Sequence, residues 1–150
     1  MYTTSDGGRT VWVAVWPDGV ILTRARIGDP KAPLIVAQAP VAEVDACLAA
    51  ISNTGFFDVD NEVRAQLDAR HTTILVRRNT QRGRQVWTEH LSHALNDKSM
   101  HPFVHRWLKV RAAIMAVCPT TCQSLEEAMG SGTQFRGYDP TKGLDVSWMN

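Results

Sequence analysis

The chain opens on a two-residue period. Val11-Trp12-Val13-Ala14-Val15-Trp16 is β-branched and aromatic, the composition strands favour. Pro17-Asp18-Gly19 follows, where proline presets φ and glycine tolerates a positive φ, so a turn is predicted. Val20 to Ile27 then alternates, with Ile21, Thr23, Ala25 and Ile27 on one side and Val20, Leu22, Arg24 and Arg26 on the other. These two runs predict a hairpin. Gly28-Asp29-Pro30 ends it. Leu34-Ile35-Val36-Ala37 predicts a short third strand, and the bounding Pro33 and Pro40 suggest an edge strand or an extended crossover.

The period then changes. Val41, Val44, Leu48 and Ile51 share one side of a helix predicted over 41–53, with Gly55 as its stop and Phe56-Phe57 as core plugs. Residues 58–69 carry only Val63 and Leu67 at helical spacing, which fits a surface helix or an irregular loop. Alternation returns over His71–Arg78 and Arg84–Leu91 around a loop at 79–83, predicting a second hairpin. The clearest helix spans 102–117, where Phe103, Trp107, Val110, Ile114 and Val117 fall on one side. Val104, Leu108 and Met115 broaden that stripe, which implies two contacts, one with the sheet and one with the C-terminal segment or another subunit. Ser124 and Glu127 have the spacing of a capping box, predicting a short helix to Met129.

The order β-β-(β)-α-β-β-α predicts an α+β fold, a two-layer sandwich with an antiparallel sheet of about four or five strands covered by helices. Residues 1–9 read as a flexible start, 10–129 as one domain, and 130–150 as a polar tail in which Phe135, Tyr138 and Trp148 favour docking. Leu48 through Gly55-Phe56-Phe57, followed by His71-Thr72-Thr73-Ile74 opening a hairpin, resembles small uncharacterised bacterial α+β domains over roughly residues 10–118. That group has no assigned activity, so the resemblance implies a fold and no function.

A length of 150 residues suits one domain, and 44% apolar residues suffice for a core without metal or disulfide staples. The net charge of +1 argues against a dedicated nucleic-acid binder but leaves room for a local basic patch. No apolar run is long enough to cross a membrane. The polar start lacks signal-peptide features, and three cysteines, Cys47, Cys118 and Cys122, make an odd count; a reducing cytoplasmic setting is the expectation.

Candidate chemistry is sparse. His90, His93, His101 and His105 lie within sixteen residues, and the last two are one helical turn apart, which suits a zinc site. Against it, Pro102 makes His101 a cap residue, and no acidic residue stands in the obvious third-ligand place; surface and capping histidines are the simpler account. The Cys118–Cys122 spacing is one residue too long for a thioredoxin-like motif and follows a helix rather than preceding one. Arg77, Arg78, Arg82 and Arg84 crowd the second hairpin's turn, where guanidinium forks match phosphate or carboxylate, and Trp12, Trp16 and Trp87 would supply stacking on a shared sheet face. A solvated face that guards the hairpin edge is the plainer reading. No phosphate-binding glycine loop, nucleophile elbow or catalytic triad is legible.

The reading that follows is a noncatalytic binding or interaction domain, with helix 102–117 as a surface for a protein partner or a second copy. The alternatives are a metal-binding protein or metal-dependent hydrolase built on the four histidines, and a basic sheet-face binder of nucleic acid or an acidic partner.

Overall fold

Alternation in the first half produces the strands it predicts. The computed structural model describes residues 3–4, 11–26, 29, 31–59, 62–64, 71–78, 80–88, 101–117, 119–139 and 142–145. Strands β2 (Val13–Val15), β3 (Val20–Arg24), β4 (Leu34–Gln38) and β8 (Thr121–Ser124) form one antiparallel sheet in the order β2-β3-β4-β8. Strands β1 (Thr3–Thr4), β5 (Glu62–Arg64), β6 (His71–Arg78) and β7 (Gln81–Thr88) form a second, ordered β1-β6-β7-β5. Within it β5 runs parallel to β7 and the other pairs are antiparallel. Helices α1 (Val41–Ser52), α2 (His101–Met115) and α3 (Leu125–Met129) and a small ribbon of β9 (Tyr138–Asp139) and β10 (Gly143–Leu144) complete the set. The class is α+β, with antiparallel strands covered by helices, and the two predicted hairpins each lie in their own sheet.

Three local expectations change. β4 lies between β3 and β8 rather than at an edge. Pro33 and Pro40 stand just outside the strand, where neither removes a ladder donor. Its far neighbour β8, which contains Cys122, had no apolar signature because all four of its residues are exposed. Residues 62–64 form a strand, not a helix or loop. The second hairpin also turns more tightly than the pattern suggested, since Arg78 pairs with Gln81 and only residues 79–80 join the strands.

One core ties both sheets to the helices. Val13, Ile21 and Ala37 from the first sheet meet Ile74, Val76 and Trp87 from the second beneath Val44 and Ile51 of α1 and Phe103, Trp107, Val110 and Ile114 of α2. The broad stripe of α2 packs on the strands, as expected, and on α1 rather than on the C-terminal segment, which covers the other side of the first sheet. Trp87 stacks on Phe103 at 5.1 Å between ring centroids, and Phe103 stacks on Trp107 at 6.3 Å. Aromatic contacts of this kind add about 0.5–1.5 kcal/mol each to the burial itself.

The opposite face of the first sheet is covered by the C-terminal region. Ala14, Leu22 and Val36 meet buried Tyr138 and Leu144, flanked by Leu125, Ala128 and Phe135. Ser124 caps α3, accepting from the Glu127 N–H at 3.1 Å while the Glu127 carboxylate accepts from the Ser124 N–H at 2.9 Å. The Ser124 N–H, and after it the Ser124 hydroxyl, bonded to the carboxylate hold the Glu127 carboxyl below its ordinary pKa. Among the described residues, no helix is long and apolar enough to cross a membrane.

Candidate functional site

The β6–β7 hairpin passes from core to solvent along its own length. β1 accompanies it only at Thr72 and Thr73, and β5 only at Gln85, Val86 and Trp87. From Leu75 to Arg84, among the described residues, the sheet consists of β6 and β7 alone. At the root both faces are buried: Ile74, Val76, Gln85 and Trp87 on one side, Thr73, Leu75 and Val86 on the other. At the tip Arg77, Arg78, Thr80, Gln81, Arg82 and Arg84 are all exposed. Gly83 marks the crossover. A Cβ there would overlap the Phe56 ring, so the missing side chain lets the arm press onto the core.

Register sets the geometry of the arginines. Arg77 stands directly opposite Arg82, and Arg84 follows Arg82 two residues along the same face. Arg78 points to the other face, opposite Gln81. Like charges directly across an antiparallel pair cost stability. The eight residues 77–84 contain four arginines and no acidic residue; with a net charge of +1 for the chain, the rest sums to −3 (1 − 4 = −3). Positive charge is therefore concentrated around one hairpin turn.

The tryptophans do not join these arginines in one platform. Trp87 is only 5% exposed and lies on the helix-facing side, opposite Arg77, Arg82 and Arg84. Trp12 is half-buried against the same core. Trp16 is half-buried against the other cluster, edge-on to Phe135 at 6.0 Å, with the Arg136 guanidinium 5.8 Å from its ring. Arg136 also bonds Asp18 at 2.8 Å. Burial works against ionisation of Asp18, but the Arg136 bond and charge and the Val20 N–H outweigh it and hold the carboxyl below its ordinary pKa. Arg24 is inward-facing too, donating from Nε to the Val11 carbonyl at 3.2 Å and from Nη1 to the Ala32 carbonyl at 2.7 Å. Arg26 pairs with Asp29 at 3.3 Å. These contacts are structural.

His90 and His93 lie outside the described residues. His101 begins α2, its side chain also outside them, and His105 is exposed on the same helix. No group of three or more metal-ligating side chains gathers among the described residues. Cys118 is likewise outside them, while Cys47 and Cys122 carry free thiols. Burial pushes the Cys47 thiol pKa up, making it a poor nucleophile. Cys47 lines a cavity of about 310 Å³ between α1 and α2 with Glu43, Ala46, Ala50, Ala113, Ala116 and Val117. That lining has no acid–base pair and few polar groups to orient a substrate.

Sequence reasoning missed one residue of interest. Gln85 is wholly buried, and neither its amide nitrogen nor its amide oxygen has a hydrogen-bond partner; the Trp87 indole nitrogen shares that condition. The signal was present, since Gln85 and Trp87 are two apart in a strand and so share a face. Compared with protein-family models, curated proteins and solved structures, the chain matches none.

Proposed function

We propose that the protein is a noncatalytic binding domain that captures an anionic partner with the tip of the β6–β7 hairpin. The observation that carries this reading is the exposure of Arg77, Arg78, Arg82 and Arg84 around one hairpin turn of a chain whose remaining charge is negative. Each guanidinium presents a planar fork of donors that fits phosphate or carboxylate oxygens. Neither the α1–α2 cavity nor the histidines supply a comparable gathering of like groups.

Heparin–agarose chromatography tests the reading. At low salt the protein should be retained and should elute as salt screens the contact. The variant Arg77→Thr/Arg78→Thr/Arg82→Thr/Arg84→Thr should pass through unretained, and equal retention of the two proteins would refute the assignment of the site.

A further inference from the structure

We infer that residues 135–145 form a strap that swings off the first sheet as one unit while the rest of the fold stays closed. The first sheet has two faces, and each packs into a different core. Val13, Ile21 and Ala37 pack with α1, α2 and the second sheet. Ala14, Leu22 and Val36 pack with the C-terminal region, where Tyr138 and Leu144 cover them. Alternate side chains of a strand point to opposite faces, so the strap can leave one face without disturbing the other. Its own share of the core is small: among its described residues, Tyr138, Gly143 and Leu144 are the buried ones.

The strap is folded onto itself. Phe135 and Tyr138 exchange backbone N–H and C=O bonds at 2.8 Å, Asp145 donates to the Gly137 carbonyl at 2.7 Å, and β9 pairs with β10. Among the described residues, neither of these strands joins a four-stranded sheet. A polar latch ties the strap to the first hairpin, where Arg136 bonds Asp18 at 2.8 Å and lies 5.8 Å from the Trp16 ring centre. Arg136 sits at a φ of 48°, a left-handed conformation uncommon outside glycine and held here by those contacts. Leading into the strap is a run from Gly130 to Gln134 in which every residue is exposed. Gly130 ends α3 at a φ of 57°, with open space where a Cβ would stand, so the chain can pivot there. Segments with few buried contacts and exposed connections open at free energies well below that of global unfolding.

Amide hydrogen exchange of the full chain, read residue by residue by NMR, tests the inference. The amides of Phe135, Tyr138 and Asp145 should be at least about tenfold less protected than those of Leu22 and Val110. Ile114→Val loosens the main core, which stays packed when the strap opens. It should therefore speed exchange at Leu22 and Val110 by about two- to tenfold and leave the three strap amides unchanged. Asp18→Asn keeps an oxygen for the Val20 N–H but loses the charge that holds Arg136. It should speed all three strap amides by one common factor, up to about fivefold. Strap amides that accelerate with the core in Ile114→Val would show that they exchange only when the whole chain unfolds, and would overturn the inference. Unequal responses to Asp18→Asn, with Phe135 faster and Asp145 unchanged, would overturn it too, since the segment would then fray rather than open as a unit.

Discussion

The root and the tip of the β6–β7 hairpin share two strands and one register, yet they are built for opposite environments. At the root, Ile74, Leu75, Val76, Val86 and Trp87 are buried on both faces of the sheet. At the tip, where β1 and β5 no longer flank the pair, both faces are polar and exposed. The difference teaches that burial of the root comes from the helices and flanking strands, while the tip meets solvent on both faces.

The comparison breaks most severely at its buried end. Trp87→Ala removes the ring stacked on Phe103 and should cost about 3–5 kcal/mol in denaturant unfolding; a loss below 1 kcal/mol would show that the root is not core. Gly83→Ala drives a Cβ into the Phe56 ring and should cost about 1–3 kcal/mol by overpacking, with the arm's orientation disturbed as well. Gln85→Leu should act in the reverse direction. It replaces two unpartnered buried polar atoms with an apolar side chain of similar size and should stabilise by about 1–2 kcal/mol. A loss instead would mean that the amide is satisfied in solution. The smallest effect belongs to the tip: Arg77→Thr/Arg82→Thr, at two exposed positions, should change stability by no more than about 0.5 kcal/mol, while heparin retention falls sharply. Thermal melting beside chromatography reads both quantities from one sample.

Much of this contrast was legible in the chain. The β-branched alternation of Thr72, Ile74 and Val76 located β6, and Phe103, Trp107 and Ile114 located the covering helix. The hidden parts have physical causes. β8 is exposed throughout, so it had no apolar side to alternate with a polar one. β5 is three residues long and paired in parallel, too short to display a period. The candidate site was half legible. Four arginines around a turn were visible, but Trp87 was placed with them although it lies an odd number of residues from Arg82 and Arg84 only by 5 and 3 positions, which in a two-residue period puts it on the far face. That parity was available in the sequence and argues for an arm that grips without aromatic stacking. Trp12 and Trp16 misled for another reason, because covering by α1, α2 and the C-terminal region depends on contacts distant in sequence.

The most direct test is a map of which amides move when a short heparin oligosaccharide is titrated into the isotopically labelled protein. The account expects the largest backbone shifts on Arg77, Arg78, Gln81, Arg82 and Arg84, with Ile74 and α2 nearly still. Shifts concentrated on Ala46, Ala50, Ala113 and Ala116, with the hairpin tip unmoved, would contradict it and place recognition between the helices.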